Sequence, residues 1–168
     1  SLSEWNSTRK LIFIYGIASG MSYLHHNNVF HRDLKSENIL IDEYFHPKIS
    51  DFGLSKVVNG ITQSLRIQSQ SGIKGTLLYM APETFGGENY SEFSDVFSFG
   101  MIIYEIMNIE NQFEGFNQYQ LFGQYIKGSR PKIDEIVPNA YRELIERCWS
   151  QDPKDRPTFN EILEEMKK

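Results

Sequence analysis

Apolar residues recur every three or four positions in several stretches of this chain, which is the spacing of an amphipathic helix. The first stretch covers residues 10–26, where leucine, isoleucine, alanine and methionine side chains share one face. Ser7 or Thr8 can cap the start of this helix, and Asn27-Asn28 supplies the turn chemistry that ends it. The pattern therefore predicts a long first helix with one buried side.

The apolar pattern is densest over residues 94–108, where it is almost continuous. A helix that is apolar on all sides is typical of a position surrounded by protein, so we expect this segment at the centre of the fold. Shorter helices are predicted for residues 118–127 and 141–149. The last helix is expected to begin at Thr158, the first residue of a Thr-Phe-Asn-Glu capping box.

Short strands are predicted at residues 39–41 and 48–50, with turn-forming residues between them over 42–47. Val29-Phe30 is a further short extended piece. Residues 54–75 are rich in Ser, Gln and Gly and have no clear period, which indicates a long surface loop of the kind that is usually functional or disordered. Helices dominate this pattern, so we predict a mainly α fold with short β-strands.

Composition narrows the class of protein. A chain of 168 residues is long enough for one domain with a core, and its apolar and charged fractions are ordinary for a globular protein. The formal net charge of −5 argues against nucleic acid as a partner. The single Cys148 excludes an intrachain disulfide and permits a reducing, intracellular location. Residues 97–109, the most apolar stretch, are too short for a membrane span and contain Glu105.

One segment of eight residues carries the strongest functional signal. His31-Arg32-Asp33-Leu34-Lys35-Ser36-Glu37-Asn38 matches H-R-D-L-x-x-x-N, the catalytic-loop pattern of protein kinases. Asp51-Phe52-Gly53 follows thirteen positions after Asn38, and Ala81-Pro82-Glu83 comes later, in the order that kinases use. Three motifs in this order are specific, whereas one would be weak. The chain therefore resembles the eukaryotic protein-kinase family over essentially its whole length.

This resemblance implies an enzyme that uses ATP and Mg²⁺ to phosphorylate a protein substrate. Asp33 is expected to accept or orient the proton of the substrate hydroxyl, and Lys35 to reach the transferring phosphate as a cation. Asn38 and Asp51 are expected to supply oxygen ligands to Mg²⁺, a hard cation. The contacts with ATP would then be formed by Lys35, Asn38, Leu40 and Asp51. A lone aspartate is more often a solvated loop residue or a helix cap, but these four residues in this order weaken that interpretation.

Other residues are expected to support the catalytic loop. By resemblance, His31 packs against Phe52 and ties the loop to the metal-binding aspartate. Arg32 resembles the basic residue that receives an activation-loop phosphate, although an arginine beside an aspartate also pairs locally. Asp95 resembles the family's buried aspartate that holds the loop backbone. The alternative for Asp95 is an ordinary acid in the first turn of a helix, favoured by the helix dipole.

Two more contacts are implied at a distance from the loop. Leu40 resembles the apolar floor beneath the adenine, stacked over Ile102 and Ile106, although core packing alone would account for all three. Glu83 and Arg156 resemble the family's buried ion pair, which fastens the end of the activation segment to the lobe.

Several residues suggest where the chain falls within the family. Lys35 stands two positions after Asp33, as in serine/threonine kinases, where tyrosine kinases usually carry Ala. Thr76 of Gly75-Thr76 is expected to bridge Asp33 and Lys35 through its hydroxyl. Cys148-Trp149 and residues 152–157 resemble tyrosine-kinase-like and tyrosine kinases. Together they indicate a serine/threonine kinase of the tyrosine-kinase-like group.

The chain also departs from the family pattern. Phe97 stands where the family usually has Trp, and residues 110–114 replace its apolar-Pro-Phe signature with polar residues. The predicted activation loop contains four hydroxyl residues that no local feature ranks as phosphorylation sites: Thr62, Ser64, Ser69 and Ser71.

Neither a G-x-G-x-x-G nor a V-A-I-K motif precedes the catalytic loop. Residues 1–168 are therefore expected to form only the C-terminal lobe of a kinase domain, of cytoplasmic location, with ATP and a protein as partners and an oligomeric state that the sequence leaves open. The alternative is a stand-alone lobe that docks substrates or partners without catalysis. Retention of Asp33, Lys35, Asn38 and Asp51 argues against this alternative, because docking needs none of them.

Overall fold

A computed structural model describes residues 6–52, 56–57, 76–85, 90–108 and 117–167 of the chain. The described part is mainly helical, in agreement with the predicted fold class. Its five α-helices are α1 (Ser7–His26), α2 (Glu92–Met107), α3 (Gln118–Ile126), α4 (Asn139–Cys148) and α5 (Phe159–Met166). Its strands are β1 (Val29–Phe30), β2 (Ile39–Ile41), β3 (Pro47–Ile49) and β4 (Lys56–Val57).

Helix α2 lies at the centre of the fold, as its apolar pattern predicts. Phe97, Phe99 and Ile103 are completely buried, and every residue from 94 to 104 is buried. The helix packs against α1, against α4 and against the short 3₁₀ turn at Pro153–Asp155. Burial on all sides explains why the segment lacks the polar face that a surface helix carries.

The strands form two small antiparallel sheets. β2 and β3 form a hairpin in which Ile39 lies opposite Ile49. β3 begins at Pro47, one residue before its predicted start. β1 pairs with β4, with Val29 opposite Val57. The prediction that residues 54–75 form a loop throughout is therefore wrong at β4. A strand of two residues is too short to show the alternation of apolar and polar positions, so nothing in the local sequence predicts this pairing.

The ends of the first and last helices illustrate how local chemistry sets the boundaries. Asn6, rather than Ser7 or Thr8, caps α1, because its side-chain oxygen accepts a hydrogen bond of 3.0 Å from the Arg9 N–H. The capping box at the start of α5 is confirmed: the Thr158 and Glu161 side chains each bond the other's backbone N–H.

Two glycines bring α1 close to the β2–β3 hairpin. A Cβ atom on Gly16 would lie 2.5 Å from Cγ of Pro47, and one on Gly20 would lie 2.7 Å from Cδ1 of Ile49. Both distances are below van der Waals contact, so a Cβ at Gly16 would meet the rigid Pro47 ring, whereas a Cβ at Gly20 would require the end of the Ile49 side chain to shift. The hairpin that follows residues 31–38 is thereby packed closely against α1. Among the described residues, no helix is long and apolar enough to cross a membrane.

Candidate active site

The segment between β1 and β2 brings Asp33, Lys35 and Asn38 together. The Asp33 carboxylate lies 2.9 Å from Nζ of Lys35, and Nδ2 of Asn38 donates to it at 3.1 Å. The same Asn38 nitrogen donates to the Asp33 carbonyl at 2.7 Å. The 3₁₀ turn at Ser36–Asn38 folds the chain back and makes these contacts possible. The Asp33 carboxylate is thus held from two sides and remains partly accessible, with 11% of its side chain exposed.

His31 is completely buried and supports this loop through both ring nitrogens. Its Nε2 lies 2.9 Å from the Ser50 carbonyl, and its Nδ1 accepts from the Asp33 N–H at 3.3 Å. A carbonyl can only accept and an N–H can only donate, so the neutral tautomer with the proton on Nε2 satisfies both contacts. The ring of Phe52 lies 5.4 Å from that of His31, so the structure brings together the pair that the sequence suggested.

Asn38 is also linked to the second predicted metal-binding residue. The N–H and hydroxyl of Ser50 both donate to the Asn38 carbonyl, at 2.8 and 2.9 Å. Asp51 follows directly, exposed and with a φ of +59°, which is uncommon for a residue with a side chain. The hairpin therefore places Asn38 and Asp51 beside each other at its open end.

This donor set fits Mg²⁺. The amide nitrogen of Asn38 is occupied by Asp33, and within the described residues its amide oxygen accepts no hydrogen bond. An exposed carboxylate at Asp51 adds hard oxygen ligands. Mg²⁺ typically binds one or two protein side chains and takes its other ligands from water and phosphate, so two residues suffice. In the described parts of the chain, no cluster of three His, Cys, Asp or Glu forms a separate metal site.

Asp95 in α2 is fully buried and accepts four hydrogen bonds. Its Oδ2 accepts from the His31 N–H at 2.9 Å and lies 2.8 Å from Nε2 of His25. Its Oδ1 accepts from the Arg32 N–H at 3.0 Å and from the hydroxyl of Tyr90. Asp95 lies in the first turn of α2, and its carboxylate also binds the backbone N–H groups of His31 and Arg32.

Arg32 itself has a φ of +71° and a partly buried side chain. Its guanidinium carbon lies 5.1 Å above the ring of Tyr90. Among the described residues, no carboxylate is within ion-pair distance of this guanidinium, so the local pairing with Asp33 that the sequence left open is not seen.

Leu40, on β2, is 56% exposed, while Ile102 is buried in α2.

Glu83 and Arg156 form a bidentate ion pair. Nη1 and Nη2 of Arg156 lie 2.7 and 2.9 Å from the two carboxylate oxygens of Glu83. Arg156 also donates to the carbonyls of Ser150 and Phe93, at 2.9 and 3.0 Å. Phe97, which replaces the family's Trp, is completely buried with the Arg156 guanidinium 5.1 Å from its ring.

One cluster was missed by the sequence analysis. Glu105 of α2 accepts hydrogen bonds from the hydroxyls of Ser36 and Tyr79, the latter at 2.8 and 2.7 Å to its two oxygens. Burial raises the pKa of Glu105, the hydrogen bonds from Ser36 and Tyr79 oppose this rise, and the charge of Glu37 adds to it. The three residues join the catalytic loop, the segment 76–85 and the central helix. Because Ser36 and Glu105 are 69 positions apart, no local pattern could have revealed the contact.

Some predicted residues lie outside the part of the chain that the structure describes. These are Gly53, the side chain of Thr76, the departure at residues 110–114, and the hydroxyl residues of the predicted activation loop, Thr62, Ser64, Ser69 and Ser71.

Comparisons with known proteins show the family to which this chain is related. The family model described as protein tyrosine and serine/threonine kinase matches residues 2–166. A probable LIM domain-containing serine/threonine-protein kinase of Dictyostelium discoideum is 41% identical over 155 residues, which are 90% of this chain and 15% of that protein. The dual specificity protein kinase shkE of the same organism is 40% identical, over 89% of the chain and 21% of its own length. The serine/threonine-protein kinase STY17 of Arabidopsis thaliana is 39% identical, over 88% of the chain and 25% of its own length.

The chain therefore belongs to the protein tyrosine and serine/threonine kinase family. Its mainly helical fold agrees with the C-terminal-lobe fold of that family. It spans a quarter or less of the length of these three relatives.

Proposed function

We propose that this chain is the C-terminal lobe of a serine/threonine protein kinase of the tyrosine-kinase-like group, and that the whole enzyme transfers the γ-phosphate of ATP to protein hydroxyls. The observation that carries the proposal is the Asp33 carboxylate, held between Nζ of Lys35 at 2.9 Å and Nδ2 of Asn38 at 3.1 Å. Phosphoryl transfer needs an oriented nucleophile and compensated negative charge rather than covalent help from the protein. This carboxylate and this cation meet those two needs.

In the proposed mechanism Asp33 accepts a hydrogen bond from the substrate hydroxyl and orients it toward the phosphate. Lys35 contributes a positive charge next to the reacting oxygens, and Asn38 keeps the Asp33 carboxylate in place. Asn38 and Asp51 would hold Mg²⁺, which when bound neutralises charge on the phosphate oxygens. Leu40, exposed on β2, would offer an apolar surface to the adenine.

A hydroxyl of Ser or Thr, rather than Tyr, is the proposed acceptor. Lys35 supports this, because it occupies the position that serine/threonine kinases fill with lysine. Thr76 would bridge Asp33 and Lys35 in the working enzyme. Two of the relatives above carry serine/threonine kinase in their names, and one carries dual specificity. Phosphoamino-acid analysis of the autophosphorylated full-length protein tests this point, and dominant phosphotyrosine would overturn it.

We also propose that the ATP-covering lobe belongs to a longer protein and that this protein is cytoplasmic. No Gly-rich phosphate loop and no V-A-I-K lysine occur in the 168 residues. The purified chain alone should therefore show negligible kinase activity and weak ATP binding. Phosphorylation of a generic protein substrate at an ordinary rate by the chain alone would overturn the one-lobe assignment. Reading the coding sequence upstream of Ser1 offers an independent test, because it should encode both missing motifs.

The decisive test of the catalytic assignment is a near-isosteric substitution in the full-length protein. Asp33→Asn and Asp51→Asn should each lower kcat by at least about a thousandfold, since each removes a charge that the mechanism uses. Glu43→Gln serves as the matched control, because Glu43 is an exposed acid on the same hairpin. Turnover within tenfold of wild type in either aspartate variant, with the control also active, would contradict the roles given to these residues.

A further inference from the structure

Tyr90 lies just before α2 and is connected to Arg32 in two ways, through the Asp95 carboxylate and directly through its ring. Its hydroxyl donates a hydrogen bond to Oδ1 of Asp95, the same oxygen that accepts from the Arg32 N–H at 3.0 Å. Its ring lies under the guanidinium of Arg32, 5.1 Å from the guanidinium carbon. One side chain thus holds the backbone of Arg32 through a carboxylate and the charged end of Arg32 through an aromatic face. None of the kinase motifs includes Tyr90.

The hydroxyl of Tyr90 completes the hydrogen bonding of a buried charge. Each Asp95 oxygen accepts one backbone N–H, from His31 or Arg32, and one side-chain donor, from His25 or Tyr90. A carboxylate offers about four acceptor positions, so the set is full. Without Tyr90 the Oδ1 atom keeps a single partner while Asp95 stays fully buried. Burial of a charge that is incompletely hydrogen-bonded is unfavourable, so the backbone around Arg32 would lose part of its support.

The direction of this hydrogen bond is fixed. Burial, and then the charge of Asp95, raise the pKa of Tyr90 well above its ordinary value. The phenol therefore keeps its proton and acts as the donor, and the Asp95 carboxylate acts as the acceptor.

Arg32 needs such support because of its backbone conformation. Its φ of +71° lies in the left-handed region, which residues with side chains occupy only where the surroundings hold them there. Asp33 is the next residue, so any relaxation at Arg32 moves the Asp33 carboxylate relative to Lys35 and Asn38. Displacements of about 1 Å at a reacting group are enough to lower a rate by about a hundredfold.

We propose that Tyr90 is a positioning residue of the catalytic loop, which holds Arg32 at both its backbone and its guanidinium and thereby places Asp33. Tyr90 touches neither substrate nor cofactor in this role. The kinetic consequence rests on the proposed kinase function, whereas the effect on the loop backbone does not.

Tyr90→Phe in the full-length protein removes the hydroxyl and keeps the ring. We expect kcat to fall by about tenfold to a hundredfold, the effect of losing one hydrogen bond to a charged group, with the KM for ATP changed less than twofold. The amide hydrogens of His31 and Arg32 should exchange with solvent faster by a similar factor. Tyr104→Phe is the matched control, because its hydroxyl bonds a carbonyl, that of Lys132, at 3.3 Å and away from the loop. That control should leave kcat and both exchange rates unchanged.

A second comparison tests the aromatic face. Tyr90→Leu should lower kcat more than Tyr90→Phe in the wild-type background, because it also removes the ring beneath the guanidinium. In an Arg32→Gln background the difference between the two substitutions should become smaller, since no cation remains to contact the ring and only its packing against Phe30 is left. Equal effects of the two substitutions in both backgrounds would overturn the role of the ring.

The outcomes separate this inference from the proposed function. A full-length wild-type protein without kinase activity overturns the proposed function, and amide exchange at His31 and Arg32 still decides the role of Tyr90. Unchanged exchange in Tyr90→Phe, or a kcat within twofold of wild type in an active enzyme, overturns the positioning role. If Tyr104→Phe and Tyr90→Phe lower the melting temperature equally and also lower kcat equally, the loss of activity reflects a general loss of stability instead of a positioning role.

Discussion

The Arg156 guanidinium and the Glu83 carboxylate form two parallel hydrogen bonds, of 2.7 and 2.9 Å, across 73 positions of sequence. The arginine side chain is completely buried and the glutamate side chain retains 16% of its exposure. The hydroxyl of Ser94 donates to the same carboxylate at 3.0 Å, which connects the pair to α2. The contact therefore joins the segment 76–85, the central helix and the turn before α5.

Arg156→Ala should lower the free energy of unfolding by about 3–5 kcal/mol, because it leaves the Glu83 charge buried without its partner. Arg147→Ala is the matched control. Arg147 pairs with Glu165 at the surface, with both side chains more than 40% exposed, so its loss should cost about 0–1 kcal/mol. Chemical denaturation of both variants measures the difference.

The ion pair also predicts non-additivity. Arg156→Ala combined with Glu83→Gln should be less destabilised than the sum of the two single variants, because the glutamine removes the charge that the alanine leaves uncompensated. Small single effects that simply add would contradict the energetic importance of the pair.

Two helical glycines should respond in opposite directions to alanine. Gly16→Ala places a Cβ 2.5 Å from the Pro47 ring and should destabilise the lobe by more than about 1 kcal/mol, since the helix or the hairpin has to move. Gly123→Ala in α3 meets no atom within 4 Å and should stabilise by about 0.5–1 kcal/mol through helix propensity. Thermal melts of the two variants test the close approach of α1 to the hairpin, and equal shifts would argue against it.

Tyr125 carries a buried hydroxyl that has no hydrogen-bond partner among the described residues. Tyr125→Phe removes this group and should raise the free energy of unfolding by about 1 kcal/mol, because an unsatisfied buried donor is costly. Tyr104→Phe, which removes a bonded hydroxyl, should have the opposite sign. Destabilisation by Tyr125→Phe would show that an ordered water or another group satisfies this hydroxyl.

Glu105 should make stability depend on pH. Its pKa is raised, mainly by burial, so the fold favours the protonated acid. Stability from this group is complete below the ordinary pKa of glutamate and is lost as the pH rises through the raised value. The glutamine side chain in Glu105→Gln cannot ionise. The melting temperature of this variant minus that of the wild type should therefore be higher at about pH 8 than at about pH 4.

Glu161 is a control of opposite sign for this experiment. Hydrogen bonds from Thr158 lower the pKa of Glu161, so its stabilisation is present above the ordinary pKa and is lost as the pH falls. For Glu161→Gln, the melting temperature of the variant minus that of the wild type should therefore be lower at about pH 8 than at about pH 4. The same trend in both variants would refute the interpretation of Glu105.

Much of the fold follows from local pattern. The five helices appear where the apolar spacing predicts them, and the capping box starts the last one at Thr158. The first helix begins at Ser7 with Asn6 as its cap, because Asn6, Ser7 and Thr8 are all residue types that cap helices well and only the backbone conformation selects among them. β4 was not predicted, since its pairing partner β1 is distant in sequence.

The residues of the candidate site were likewise predictable from the sequence only in part. Asp33, Lys35 and Asn38 lie within the short segment between β1 and β2, so a motif of eight residues was enough to suggest them together. The hydrogen bonds of Tyr90 to Asp95 and of Tyr79 to Glu105 depend on how separate segments pack. Tyrosine is common in protein cores, so nothing at either position distinguishes a partner of the site from a packing residue until the coordinates are known.

The burial of Asp95 has a consequence for how the molecule folds. Its partners at residues 25, 31 and 32 precede it by 63 to 70 positions, so its charge can leave water only after a long stretch of chain has closed. Closing such a loop is slow and costs entropy before any contact compensates it. The central helix therefore cannot reach its native environment ahead of the loop that carries Asp33. We expect core assembly and catalytic-loop assembly to be one cooperative step, so a lobe that completes folding emerges with its catalytic loop already formed.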